Sequence, residues 1–226
     1  MIFYCSPTKT LKKSNKEADS SLLFKDHTQI ITDKLKQYDV NQLKALYQAS
    51  DKIVNHQYEV IKNPQPLGPS GYVYQGASFK SLDLRTIENN YLDSRLFIGS
   101  ALYGLTKINT LINDHRLDFT KNLDELNLVN YWKPVVQEYF KQYDSILIDV
   151  SSNEYGQLIS ELNPIKVSFY DDGKIKSTYA KSARGEFLRQ CALHQVDSIQ
   201  QLKQLSIFDY KIDGKQSSDN HIIFWR

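Results

Sequence analysis

The sequence is poor in the residues that staple chains or bind metals: its 226 residues include two cysteines, five histidines and one methionine. Cys5 and Cys191 sit in apolar contexts, with no second thiol or histidine at metal-binding spacing. That pattern fits buried thiols in a reducing compartment, with a redox-sensing cysteine as the alternative. His27, His56, His115, His194 and His221 show no paired HxxxH spacing, so neither a metal nor a cofactor is expected. Net charge is also scarce. Against 28 Lys and Arg stand 26 Asp and Glu, so any affinity for a polyanion must come from a local patch. Long apolar runs are missing as well. The opening Met1–Cys5 stretch has no basic start and no small-residue cleavage site, and nothing approaches membrane-spanning length, so a cytoplasmic location without a membrane partner is expected. There is no internal repeat and no low-complexity tract.

What is present is enough apolar sequence for a core: 41% of positions are hydrophobic and 24% charged, which suits one large domain or two small ones. The pattern along the chain favours a single compact domain over 1–226, of mixed α/β (α+β) class with a mixed sheet. Ile2 to Cys5 predicts a buried strand halted at Ser6-Pro7. Apolar residues at three- and four-residue steps between Leu22 and Val54 predict two amphipathic helices broken near Tyr38–Asn41. Pro64, Pro66 and Pro69, with Gly68, Gly71 and Gly76, predict a linker or functional loop from Asn63 to Ser78, apart from a short strand at Tyr72 to Tyr74. Strands are expected at Arg95 to Ile98 and Ile146 to Asp149, and helices at Leu128 to Tyr143 and Glu154 to Leu162. Ile165 to Tyr170, the turn Asp171-Asp172-Gly173 and Ile175 to Tyr179 predict a β-hairpin. Helices at Ser182 to His194 and Ser198 to Leu205 and a closing strand at Ile222 to Trp225 complete the reading.

Two segments carry candidate chemistry. Ser6-Pro7-Thr8-Lys9-Thr10 puts two hydroxyls and an ammonium past a strand end, where sheet-rim loops meet ligands. It lacks the glycines of a phosphate-binding loop, and the simpler account makes Lys9 the head of a solvated run with Lys12, Lys13 and Lys16. Tyr179-Ala180-Lys181-Ser182-Ala183-Arg184-Gly185 sets Lys181 and Arg184 on one helix face near its positive end, a geometry suited to phosphate or carboxylate. Lys174 to Arg189 holds five cations against Glu186, which a solvated helix face explains in part, while Ala180, Ala183 and Gly185 argue for close approach by another element. In Asp149–Tyr155, Ser151 or Ser152 caps a helix that directs Glu154 or Tyr155 at a site, although capping alone explains the serines. No nucleophile elbow occurs, and an Asp118/Glu154 acid–base pair is one nomination among many.

Taken in order, these motifs with Ser50-Asp51-Lys52, Tyr74-Gln75-Gly76, Leu102-Tyr103-Gly104, Arg116-Leu117-Asp118 and Tyr131-Trp132 make the chain resemble the YaaA peroxide-stress protein family. The resemblance runs from the first strand to the last. It implies the cantaloupe-type fold with a helix-hairpin-helix-like element, a basic cleft that binds DNA, and a role in limiting iron-dependent peroxide damage. Carried over, the hairpin is Ile30 to Ile53 with Lys34, Lys36, Lys44 and Lys52 on phosphates, and the cleft gathers Lys9, Arg116, Lys181 and Arg184. The family pattern Leu-Arg-Pro-Leu-Asp after Tyr-Gly is Leu105-Thr106-Lys107-Ile108-Asn109 here, and Asp118 and Asp149 stand where the family has glutamate and asparagine.

The leading expectation is a non-enzymatic protein that binds double-stranded or junction DNA with low sequence specificity through Lys9, Thr10, Arg116, Lys181 and Arg184. The alternative is an enzyme acting on a phosphorylated or nucleotide-like small molecule, using Ser6, Lys9, Tyr103, Arg116, Glu154, Tyr179, Lys181 and Arg184 in the same cleft, whose polar residues also include Asp118 and Ser152. A deep pocket favours the second and an open groove the first. Direct iron binding finds no ligand pattern.

Overall fold

A computed structural model describes residues 1–226, apart from the side chain of Ser177. The first strand, β1 (Ile2–Cys5), is buried along its whole length because both faces of the sheet are covered. That double cover is why it reads as a continuous apolar run rather than an alternating one. Three helices follow, α1 (Lys25–Gln37), α2 (Val40–Tyr47) and α3 (Asp51–Lys62), one more than the two predicted. The extra break comes at Gln48, which adopts a left-handed conformation and ends α2. The turn between α1 and α2 closes on a capping box: Gln42 N–H donates to the Asp39 carboxylate at 2.8 Å and Asp39 N–H to the Gln42 side chain at 2.9 Å. The hairpin turn thus holds an acid and amides that are already bonded.

The proline- and glycine-rich stretch predicted to be irregular contains β2 (Pro66–Pro69), the single turn α4 (Ser70–Val73) and the start of α5 (Ala77–Leu82). β2 belongs to a two-stranded ribbon, so it is an edge strand, the place in a sheet where proline is tolerated. Tyr72 to Tyr74 is a helical turn rather than a strand, and Tyr74 keeps only an isolated bridge to Leu11. Next come β3 (Leu96–Ser100), β4 (Gly104–Lys107), β5 (Leu111–Asn113), β6 (Asn122–Leu123), β7 (Leu126–Asn127) and the long helix α6 (Leu128–Phe140). β8 (Leu147–Asp149) leads into α7 (Asn153–Gly156), so the predicted helix over Glu154–Leu162 is one α-turn and a 3-10 turn at Ser160–Leu162.

The predicted hairpin after β9 (Ile165–Tyr170) is corrected. Its turn forms, with Asp172 and Gly173 at positive φ and Asp171 and Lys174 bridged, but the second arm does not pair. The chain instead enters α8 (Ser177–Leu193), which starts earlier than predicted. The reason is topological. Both edges of β9 are already occupied by parallel neighbours, so no edge remains for a hairpin partner. α9 (Ile199–Leu202), β10 (Lys211–Ile212) and β11 (His221–Trp225) close the chain.

The main sheet runs β10-β11-β9-β8-β1-β3-β4, parallel from β11 to β3 with one antiparallel strand at each edge. From β1 the chain builds outward through β3 and β4 on one side, then returns to β8 on the other side and continues to β9 and β11. β1 and β8 are therefore neighbours whose connections leave in opposite directions, a switch point at which open parallel sheets leave a crevice beyond their carboxyl ends. α6 covers one face, packing Phe140 edge-on to Tyr4 and Phe97 and donating from Trp132 Nε1 to the Ala101 carbonyl at 2.9 Å. α8 covers the other, with Phe187 against Phe169 and Phe224. Among the described residues no helix is long and apolar enough to cross a membrane.

Candidate functional site

The crevice at the β1/β8 switch point is a cavity of about 360 Å³. Its walls come from three strand-end loops and three helices. Ser6 to Thr10 follow Cys5 at the end of β1, Val150 and Ser152 follow β8, and His115 to Leu117 come from the loop after β5; α7 supplies Glu154 and Tyr155, the start of α5 supplies Gly76 to Ser78, and α8 supplies Lys181 and Arg184. Ser6 ties two of these loops together: its hydroxyl accepts from Ser152 N–H at 2.8 Å and lies 3.2 Å from the Ser152 hydroxyl. Two glycines allow the walls to close. A Cβ on Gly76 would lie 2.2 Å from the Thr8 hydroxyl oxygen, and one on Gly185 would lie 1.8 Å from the Ser78 carbonyl oxygen. The small residues read in the α8 motif thus face α5, and Arg189 fastens that pair by donating to the carbonyls of Leu82 and Asp83, each at 3.3 Å.

Three cations that line the cavity are not paired with an acid. Arg116, Lys181 and Arg184 make no ion pair among the described residues, and no hydrogen bond from any of the three side chains is found. Arg184 is half-buried, and its Nε is sealed from water without a partner. Burial pushes its guanidinium down from the usual value, against the opposing pull of Asp149. An unpartnered guanidinium in such a place is unfavourable until an anion supplies acceptors. Because α8 starts at Ser177, Lys181 and Arg184 lie beyond its first turn, and their anion affinity comes from side-chain charge rather than the helix end.

The acids are arranged unequally. Asp118 is buried and pairs with Lys9 at 2.6 Å, while Thr120 N–H donates to it at 3.0 Å. Burial alone would raise the Asp118 carboxyl, but Lys9 and Thr120 together hold it below its usual range. Glu154 lines the cavity and accepts from Phe119 N–H at 3.1 Å. Burial, reinforced by the Asp118 charge, pushes its carboxyl above its usual range. His115 Nδ1 lies 3.0 Å from the Asn113 carbonyl oxygen, and burial lowers its pKa, so it faces the cleft as a neutral group. Cys5 also reaches the cavity, but burial pushes its thiol well up, and Cys191 is likewise buried and raised. Thiols in this state are poor nucleophiles. Neither cysteine is expected to react with a thiol reagent or with peroxide in the native protein, and both are expected to label once it is unfolded; mass spectrometry after brief exposure to each checks this.

The structure brings together Ser6, Lys9, Thr10, Arg116, Ser152, Glu154, Lys181 and Arg184 from the sequence-based candidates. Asp118 stands directly behind Lys9. The others lie elsewhere. Tyr103 is buried beside the cleft, where its hydroxyl accepts from Asn113 N–H at 3.0 Å and its ring packs on His115. Tyr179 is exposed beneath the Arg226 guanidinium. Lys34 pairs with Asp124 and Lys44 with Asp51, while Lys36 gives its carbonyl to Lys62. Lys52 lies in a smaller groove that shares Lys9, His115 and Arg116 with the cleft. Of the basic run Lys174–Arg189, Lys176 is taken up by Asp171 and Asp172 and Arg189 by α5. Sequence reasoning missed Cys5, Ser78 and His115 as cleft residues, and nothing in their local pattern marks them. Gly76 stands in a motif fragment without a role, and Tyr155 is the alternative to Glu154 as the residue directed at a site; both line the cavity. Among the described residues no three His, Cys, Asp or Glu side chains converge as a metal site.

The family model described as peroxide stress protein YaaA matches residues 1–216. Curated relatives include a UPF0246 protein of Fusobacterium nucleatum, 30% identical over 240 residues and covering 98% of this chain and 97% of its own. Another from Finegoldia magna is 29% identical over 241 residues, covering 99% and 97%. One from Rickettsia rickettsii is 31% identical over 208 residues, covering 84% of each.

Proposed function

The chain belongs to the YaaA family of peroxide stress proteins, and from that membership and the cleft we propose that it serves the peroxide response by binding DNA, seating one nucleotide of a strand in the cleft with its phosphate on Arg116, Lys181 and Arg184. The observation that carries this is Arg184: a half-buried guanidinium with an unpartnered Nε and no ion pair among the described residues. The volume refines the reading. A cavity of about 360 Å³ falls at the small end of ligand pockets, which run about 300–1,000 Å³, and holds a nucleotide-sized group but not a duplex. DNA would therefore enter as a splayed or unpaired nucleotide, as at a junction or an end, where unstacking costs little. A protein seated on strand phosphates displaces the cations condensed on them, iron included, and this is how binding would limit iron-dependent damage.

A second reading keeps the same phosphate chemistry and takes a free nucleotide-like molecule as a substrate. Glu154 favours it, as a carboxyl whose proton affinity is raised by burial at the wall of the cavity, the state of a general acid. Binding of continuous duplex, junction and single strand across a salt series separates the readings. Preference for junction or single strand, with a salt slope that flattens in Lys181→Ala/Arg184→Ala, supports DNA. Tight binding of mononucleotide with turnover that Glu154→Gln abolishes supports the enzyme. Equal binding of all forms by wild type and variant sinks both.

The cleft also fixes a pH dependence. An ionised Glu154 repels an incoming phosphate, so binding draws a proton onto it and affinity rises as pH falls through its raised pKa. Burial lowers His115, and Lys9 and Thr120 hold Asp118 down, both in the direction opposite to the shift of Glu154. Glu154→Gln is expected to tighten binding of a thymidine dinucleotide at neutral pH by roughly threefold to tenfold, about 1 kcal/mol for one charge in a partly solvated cleft. It is also expected to flatten the pH profile. The diester does not titrate in this range, so a pH series of binding isotherms reads the effect directly.

A further inference from the structure

A second concentration of unpaired charge lies outside the cleft, in an open groove of about 670 Å³ lined by Lys12, Lys13, Lys16 and Arg85 together with Tyr72 and Gln75. No carboxylate lines it. None of the four cations makes an ion pair among the described residues. Lys16 Nζ donates to the Tyr72 hydroxyl at 2.7 Å and sits 4.1 Å from the centre of that ring, while Arg85 reaches the Tyr72 carbonyl at 3.4 Å. Asp93, whose carboxyl is pushed up by burial and drawn back by Lys16, does not pair with it. Cations gathered in a groove without counter-charge raise the local potential and attract a polyanion.

Position distinguishes this groove from a scatter of surface lysines. Thr10 lines the cleft and Lys12 the groove, and likewise Gly76 lines the cleft and Gln75 the groove. At no more than about 3.6 Å of chain per residue, Thr10 and Lys12 are within about 7 Å of each other. The wall between the two sites is one pair of chain segments, held by the Leu11–Tyr74 bridge, by Lys12 N–H on the Val73 carbonyl and by Gln75 N–H on the Thr10 carbonyl, both at 2.9 Å. Phosphates along a strand follow one another at about 3.4 Å of rise in a duplex and farther apart in an extended chain, so a ligand with one phosphate in the cleft carries its next ones over this wall.

The geometry points to a continuous track for a linear chain of linked phosphates, with one unit in the cleft and the following phosphates on Lys12, Lys13, Lys16 and Arg85. This rests on the phosphate reading of the cleft and adds to it a second surface and a polymeric ligand. Single-stranded nucleic acid and inorganic polyphosphate share the required chemistry.

Fluorescence anisotropy with a thymidine decamer and a thymidine dinucleotide tests the track. In Lys12→Ala/Lys13→Ala/Lys16→Ala/Arg85→Ala, dinucleotide affinity is expected to stay at the wild-type value. Decamer affinity is expected to fall, and the slope of log K against log salt to flatten by about 3, at about 0.7 for each strand phosphate that the protein no longer neutralises. Lys12→Ala/Lys13→Ala removes no hydrogen bond or ion pair found within the protein and is expected to show about half that change, which separates weakened phosphate binding from impaired folding. A quadruple variant that holds the decamer with wild-type affinity and slope overturns the track. If the wild type ignores the dinucleotide while decamer binding still depends on the four cations, the cleft reading falls and the groove remains a strand site. Competition assigns the source: displacement of the decamer by less polyphosphate than unlabelled decamer, counted per phosphate, makes the inorganic chain the ligand, and the reverse order makes it the strand.

Discussion

Replacing Arg184 by methionine is expected to weaken nucleotide binding by about 10–100-fold while leaving the melting temperature unchanged or slightly higher. The two effects separate because Arg184 makes no hydrogen bond or ion pair found within the protein. Its Nε is sealed without a partner and its guanidinium carries a desolvation cost that lowers its pKa. Methionine keeps an unbranched stem in the α8 wall and removes the buried charge. Asp149, the acid that feels Arg184, keeps the Ser151 N–H bond at 2.8 Å and is not left bare. What methionine cannot do is meet an anion, and charge-assisted hydrogen bonds are worth about 1.5–3 kcal/mol each. Thermal melts and nucleotide titrations on the same preparation decide the matter. A melting temperature several degrees lower would make Arg184 a structural residue, and retained affinity would remove it from the site.

Gly185→Ala is expected to cost about 3 kcal/mol of stability, equivalent to roughly 6–12 °C in melting temperature for a domain of this size. In isolation an alanine would stabilise α8 by about 1 kcal/mol through helix propensity. Here the added carbon would lie 1.8 Å from the Ser78 carbonyl oxygen and 2.7 Å from its carbon, and both obstacles are backbone. α5 must therefore move off α8, which stretches the Arg189 bonds to Leu82 and Asp83. Ala77 and Ser78 line the cleft together with Lys181 and Arg184, so nucleotide binding is expected to fall along with stability. Differential scanning calorimetry and a binding isotherm on Gly185→Ala check both. A variant that melts like the wild type would mean that the α5–α8 interface gives way at little cost.

The parts of this architecture that were legible in the sequence are those fixed by local pattern. β1, β8 and β11 are apolar on both faces, so they read as strands without knowledge of their neighbours. The Ser6–Thr10 motif follows the end of β1 closely enough for sequence to place it at the sheet rim; the Lys181–Arg184 motif reads as following a hairpin strand that does not form, yet its place in α8 brings it to the same cavity. The misread elements depend on partners that local pattern does not reveal. Ile175 to Tyr179 has a strand-like pattern, but β8 and β11 already hold both edges of β9. Lys34 and Lys44 look like free cations until Asp124, across the fold, and Asp51, at the start of α3, pair with them. Tyr103 belongs to a family motif, yet its hydroxyl serves the Asn113 amide. The switch point at β1 and β8 is a property of strand order, which residue periodicity does not encode. Of the family departures, Thr106 lies fully buried in β4 with its hydroxyl unpartnered, and nothing in the structure explains that choice.

The central claim is that the switch-point cleft binds the phosphate of a nucleotide unit. Calorimetric titration of a thymidine dinucleotide into the wild type and into Lys181→Ala/Arg184→Ala, at low and at physiological salt, tests it most directly. One saturable site is expected in the wild type, weaker at the higher salt, with no measurable binding in the variant at an unchanged melting temperature. No binding by the folded wild type even at low salt, or equal binding by both proteins, would contradict it.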